Sequence, residues 1–346
     1  MATDRAIVVG TGFGCRVHVP GLRAAGFEVA ALVGTRPDAL ARKAADSGVA
    51  AFFTDLDEAI DKTGATVVTI ATTPATHAPL ALRAIARGCH VLCEKPFAFD
   101  AAEGAALLDA AQQAGIVHMV NHQFRWLPDR ALFGRAIADG LIGEPRFLVM
   151  DQFMPFCADP DARLPKWWFD KDAGGGWLGA GGSHMLDQIR AWLGDFESVS
   201  ASLLTVSDRR DVADDSYSLR FRMASGVEGS MQQSAGAWGP HVTMWRCAGS
   251  TGTVWIEGGK VMVADKAGTR ELPVPDDLQL PPLPEGVQSF ELRPFIRLAE
   301  ALRAAIEGRD AKAAVAVPSF HDGLACMKVM DAIRASSAAG GALQTL

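Results

Sequence analysis

At 346 residues the chain is long for one domain, and two domains are the better expectation. Hydrophobic residues make up 49% and charged residues 21%, which is ordinary globular composition and excludes a disordered or fibrous chain. The net charge of −7 offers no footprint for nucleic acid or an anionic membrane, so neither partner is expected.

Residues 5–9 form a short apolar run that goes straight into glycines, so it reads as a first strand and not as a signal peptide. Strand and helix then alternate: a helix over 19–25, a strand over 28–33, a helix over 38–47, a strand over 66–71 and a helix over 77–87. A strand over 89–93, a helix over 101–114 and a strand over 116–120 continue the series. Such alternation with short loops predicts a parallel, doubly wound sheet, an α/β Rossmann domain over residues 1–124.

The pattern changes beyond Phe124. After a helix over 130–139, the segments 147–152, 199–206, 216–222, 227–233, 242–247 and 253–256 carry strand formers. Turn residues separate these segments, and a helix over 185–193 is inserted among them. This predicts an α+β domain over residues 125–346 with a large, mostly antiparallel open sheet. A proline-rich surface loop over 273–286 and helices over 294–307 and 320–335 close the chain. The six cysteines (Cys15, Cys89, Cys93, Cys157, Cys247, Cys326) have no C-x-x-C pair and no zinc spacing. No metal is expected, and a reducing cytoplasm suits them better than a disulfide framework. No apolar stretch is long enough to span a bilayer.

Gly10-Thr11-Gly12-Phe13-Gly14-Cys15 follows the first strand and precedes a helix, the context a dinucleotide fingerprint requires. Gly10 permits the tight turn, and Gly12 lets the backbone approach a pyrophosphate resting on the helix N-terminus. Cys15 fills the last position of the fingerprint, where a small residue keeps the helix close to the strand. The second strand ends in Gly34-Thr35-Arg36, with no carboxylate to accept ribose hydroxyl bonds. A threonine hydroxyl and an arginine can instead hold a 2′-phosphate, which favours NADP with NAD possible. The other reading of Arg36 is a solvated residue at a helix start that stacks on adenine.

Glu94-Lys95-Pro96 stands at the carboxyl end of the fourth buried run of this series, where ligands of open α/β sheets bind. Burial there lowers an ammonium's pKa toward the range useful for proton transfer, while the plain alternative is a solvated strand-end lysine. Thr72, Thr73, Pro74 and His77 lie at the end of the third strand, placed to line a cofactor, with His77 beginning a helix. Asn121, His122 and Arg125 follow the fifth strand, and His122 is placed to line the cleft. A dense glycine run, residues 174–182, then leads through Ser183 and His184 into a helix that continues to Asp187. Trp167, Trp168 and Phe169 precede the glycines and read either as pocket walls or as domain core.

Together the fingerprint, Thr73-Pro74, Glu94-Lys95-Pro96, Arg125 with Pro128, Gly143-Glu144-Pro145, residues 174–187 and the Asp322-Gly323 region resemble the Gfo/Idh/MocA family. The resemblance covers essentially the whole chain. It implies an NAD(P)-dependent dehydrogenase or reductase acting on a secondary alcohol or ketone of a sugar, an inositol or a related small cyclic substrate. It also implies that Lys95 and His184 are the acid/base pair, with a commonly cis Lys95–Pro96 bond. Cofactor contacts fall to residues 10–15, Thr35, Arg36, Thr72, Thr73, Pro74, His77, Glu94, Lys95 and Asn121. Substrate contacts fall to Lys95, His122, Arg125, Trp168, His184 and Asp187. A homodimer or homotetramer through the open sheet is implied as well.

One position departs from the family pattern. Ala180 stands where relatives often carry an aspartate four residues before the histidine, and Asp187 is no automatic replacement. Two other functions compete: a glycosidase or lyase that retains its dinucleotide for transient oxidation, which the resemblance also allows, and a non-catalytic dinucleotide sensor, which Ala180 suggests. The only tyrosine, Tyr217, is followed four residues later by Phe221, so Tyr-x-x-x-Lys catalysis is excluded.

Overall fold

The computed structural model describes residues 4–210, 212–283, 289–309 and 315–346. The chain divides into two compact units: Met1–Trp126 with Leu280–Leu324, and Leu127–Gln279 with Ala325–Leu346.

In the first unit, β1 (Arg5–Val9), α1 (Val19–Ala24), β2 (Glu28–Val33), α2 (Pro37–Asp46), β3 (Ala51–Phe53) and α3 (Leu56–Thr63) come first. They are followed by β4 (Val67–Ile70), α4 (His77–Ala86), β5 (His90–Cys93), α5 (Ala101–Ala114) and β6 (His118–Val120). The six strands are all parallel in the order β3-β2-β1-β4-β5-β6. Strand order reverses between β1 and β4, which opens a crevice at their carboxyl ends. All four residues of β4 and the last three of β5 are buried, as expected of central strands covered on both faces.

The second unit holds α6 (Pro128–Ala138), β7 (Pro145–Phe153), α7 (Ser183–Leu193), β8 (Phe196–Leu204), β9 (Ser216–Met223), β10 (Glu228–Ser234) and β11 (Val242–Gly249). After β12 (Gly252–Glu257), β13 (Lys260–Asp265) and β14 (Gly268–Leu272), α8 (Leu292–Ile306) returns to the first unit. Helix α9 (Phe320–Ala338) and β15 (Gln344–Thr345) end the chain. The nine strands follow the order β14-β13-β12-β11-β7-β10-β9-β8-β15, antiparallel except for the β7–β10 pair. Alternation sets the faces: Tyr217, Leu219, Phe221 and Met223 of β9 are buried, while Arg220 and Arg222 are exposed. Helices cover one face, with Trp192 of α7 edge-on to Trp245 of β11 at 5.9 Å and Arg130 of α6 over the same indole at 4.5 Å.

The expected division at residues 124 and 125 is corrected in one respect. Residues 280–324 belong to the first unit because α8 lays an apolar stripe of Leu292, Phe295, Ile296, Ala299 and Leu302 into the core built around Val17, Val19 and Leu22. The loop expected over 273–286 contains a single turn, Asp276–Leu278, held by Arg135 to Asp277 at 2.6 Å, and its residues 284–286 lie outside the described residues.

Candidate functional site

Gly10 has φ +105°, and a Cβ there would lie 2.4 Å from the Ala71 carbonyl oxygen, so only glycine fits this turn beneath β4. A Cβ on Gly12 would meet nothing within 4 Å, which leaves its backbone open to a ligand. The close approach of helix to strand falls on Gly14, whose added Cβ would lie 2.8 Å from Val8 Cγ1. Cys15, expected to fill that role, is instead partly exposed. It lies in the irregular turn Gly14–His18 and packs at the edge of the core.

A cleft of about 410 Å³ opens beside this turn, lined by Gly10, Thr11, Thr35, Arg36, Thr72 and Arg83 among others. Arg83 is engaged with Asp55 at 2.6 Å and Asp57 at 2.7 Å, whereas Arg36 is exposed at the start of α2. Thr76 Oγ1 donates to Thr72 Oγ1 at 2.8 Å and lies 2.9 Å from the Thr73 carbonyl, which shapes the turn Pro74–Thr76. The residues fit a dinucleotide: a bare glycine backbone for the diphosphate, and a threonine hydroxyl with an arginine where the adenosine ribose would lie.

The Lys95–Pro96 peptide is cis, as the family resemblance implied. Lys95 is half-buried at the end of β5, and burial lowers its pKa against the opposing charges of Glu94 and Glu291. Glu94 is buried and accepts from three sides: His18 Nε2 at 2.9 Å, the Asn121 side-chain amide, and the Lys95 backbone N–H at 3.2 Å. Burial raises its pKa, but the His18 hydrogen bond and charge, then Lys95 and Asn121, outweigh this and hold it below the usual carboxylate value. Asn121 therefore reaches Glu94 directly. His77 is fully buried, with Nδ1 3.0 Å from the Pro96 carbonyl and Nε2 3.2 Å from that of Thr72, so it fastens the Lys95–Pro96 turn to the end of β4.

His122 is buried just beyond β6. Arg125, expected to meet substrate, donates instead to Asp322 at 2.8 Å and to the Ala316 carbonyl at 3.0 Å within the first unit. The sequence reading missed His18 and Glu291; the latter pairs with Arg16 at 3.2 Å, and burial raises its pKa while Lys95 and Arg16 oppose.

In the second unit His184 is the second residue of α7 and is buried, as is Asp187 one turn later. The glycines before them allow tight packing: a Cβ on Gly181 would lie 2.7 Å from the Trp177 ring, and one on Gly176 would lie 2.1 Å from Asp214 Oδ1. Ala180 is buried in the turn Leu178–Gly182 and brings no carboxylate. Asp214 Oδ2 accepts the Leu178 N–H at 2.9 Å at the start of that turn, and burial pushes its pKa up to about 6. Trp168 stands edge-on to Trp177 at 5.6 Å and is partly exposed.

Comparison with known proteins places residues 5–122 in the oxidoreductase family GFO_IDH_MocA, NAD-binding Rossmann fold, and residues 133–255 in the C-terminal domain of GFO/IDH/MocA proteins. Levoglucosan dehydrogenase of Pseudarthrobacter phenanthrenivorans is 31% identical over 226 residues, 59% of this chain and 58% of that protein. D-Apiose dehydrogenase of Paraburkholderia graminis is 29% identical over 59% of this chain and 53% of its own length. The chain thus spans little more than half the length of these curated relatives. A solved levoglucosan dehydrogenase in complex with NADH and levoglucosan aligns with a TM-score of 0.87 at 27% identity, covering 100% of this chain and 99% of that one.

Proposed function

Because the chain belongs to the GFO/IDH/MocA oxidoreductase family, we propose that it transfers hydride between a nicotinamide dinucleotide, NADP in preference to NAD, and a secondary alcohol or ketone carbon of a sugar-like ring. The observation that carries this reading is Lys95, an amine disfavoured as a cation by burial, at the carboxyl end of β5 in the same sheet as the Gly10–Gly12 turn. The relatives named for sugar dehydrogenation support the substrate class.

In the oxidative direction the substrate hydroxyl gives up a proton as its carbon loses hydride. Lys95 as the amine and the His184 imidazole are the groups assigned to receive it. In the reductive direction the same groups return the proton, and an ammonium at Lys95 stabilises the developing alkoxide. Ala180 contributes nothing to this transfer, so it rests on these two side chains. Trp168, His122 and Asp187 remain the assigned substrate contacts. Arg125 is assigned a structural role.

The test is a screen of sugars, inositols and cyclic ketones with NADPH and NADH, followed at the nicotinamide absorbance. Lys95→Met should cut turnover of the best substrate by about 10²–10⁴-fold. Unchanged turnover in that variant would remove Lys95 from the mechanism.

A further inference from the structure

His18 is a buried imidazole that the proton transfer above does not use. It closes the turn Gly14–His18, with Phe13 edge-on to its ring at 5.6 Å and Phe295 of α8 lying across it at 4.5 Å. Its Nε2 is 2.9 Å from Glu94 Oε1, and Nδ1 has no hydrogen-bond partner among the described residues. A proton on Nδ1 alone would leave a buried donor unpaired and turn a bare nitrogen toward a carboxylate. A ring proton therefore belongs on Nε2, pointing at Glu94, whether or not Nδ1 also carries one.

Three donors from three parts of the chain thus converge on one carboxylate. His18 comes from the turn after β1, the Asn121 amide from the end of β6, and the Lys95 backbone N–H from the end of β5. Asn121 is itself held by its N–H to the Cys93 carbonyl at 2.7 Å. Lys95 is the residue next to this clamp, with its own peptide bonded to Glu94 Oε2.

We propose that His18 is a positioning residue for Lys95: its Nε2–H holds Glu94 ionised and in place, and Glu94 in turn fixes the Lys95 peptide and keeps a negative charge beside the lysine amine. This rests on the assignment of Lys95 to proton transfer. Other groups act on the same pair: Glu291, itself paired with Arg16, on both Lys95 and Glu94; His77 and Cys93 on Glu94. None of them donates a hydrogen bond to the Glu94 carboxylate, so His18 has a distinct role. Without its donor, burial drives Glu94 toward the neutral acid, Lys95 keeps only the Glu291 charge of the two that oppose its burial, and the amine gives up its proton at lower pH.

The experiment is trace acetylation of the full-length protein across neutral to alkaline pH. Mass spectrometry of the Lys95 peptide reports the midpoint, with exposed Lys62 as the internal control. His18→Leu should lower the Lys95 midpoint by about one pH unit, a roughly tenfold loss of proton affinity. His18→Gln, whose amide can donate in place of Nε2–H, should restore most of it. A Lys95 midpoint that is the same in wild type and His18→Leu overturns the proposal, as do equal shifts in both variants. Should His18→Leu fail to fold, nitrogen-15 spectra of the wild-type histidines decide instead: a ring proton on Nε2 of His18 supports the assignment and one on Nδ1 alone overturns it. Both readouts are independent of turnover, so they stand or fall separately from the Lys95→Met test.

Discussion

Gly34-Thr35-Arg36 ends β2 where a carboxylate would accept the ribose hydroxyls of NAD, and all three residues line the cleft beside Gly10. Arg83, in the same lining, is already paired with Asp55 and Asp57, which among the described lining residues leaves Arg36 as the cation available for a phosphate. Arg36→Ala should weaken NADPH binding by about 10–100-fold, the worth of a charge-assisted hydrogen bond, and leave NADH binding nearly unchanged. Equal losses for both dinucleotides in fluorescence titrations would contradict the proposed NADP preference. Residues such as Gly10, Arg36 and Lys95 were legible because their chemistry follows from the motif or strand end they occupy. His18 was not: its meaning depends on Glu94, 76 positions away, and no local pattern in the sequence announces that pairing.

Helix α7 carries His184, and the start of its preceding turn is held by Asp214. The folded pKa of Asp214, about 6, stands above its ordinary value of 3.8, so folding favours the protonated acid. Its stabilising contribution is fully present below pH 3.8 and is lost as the pH rises through about 6. Chemical denaturation between pH 4 and 7 should therefore show a downward trend from this group, steepest below pH 6 and bounded at about 3 kcal/mol. Asp214→Asn, which retains an acceptor for Leu178, should flatten that trend and be the more stable protein at pH 7. An unchanged pH slope in the variant would refute the assignment. Among the elements, α3 was overlooked although its signals are present: Asp55 accepts the Glu58 N–H at 3.0 Å, and Gly64 ends the helix at φ +62°. Strand β14 was overlooked for the opposite reason, because four of its five residues are exposed at a sheet edge and show no alternation.

The face of the nine-stranded sheet opposite its helices presents Phe147 and Phe153 of β7 with Val242 and Met244 of β11, all at least 40% exposed, in strands paired so that Phe153 faces Val242. We propose this face, with apolar side chains on adjacent strands, as the one a second copy would cover. Light scattering at micromolar concentration should give a dimer or tetramer, and Met244→Asp should shift it toward the monomer. A wild-type monomer would argue against this role for the face. Both sheets and their classes follow from strand–helix alternation and strand periodicity. The boundary between units did not, because α8 reads as an ordinary amphipathic helix and its partners, such as Phe27 and Leu22, lie near the other end of the chain. The return of residues 280–324 to the first unit bears on how such a protein can be cut or recombined. The two units interleave along the chain, which passes from one to the other after Trp126, after Gln279 and after Leu324, so no single junction separates them. Residues 1–126 expressed alone would present Val17, Leu22 and Phe27 without Phe295 and Leu298 to cover them. A gene fusion that exchanges the second unit for another has to respect all three crossings, the last of them inside α9.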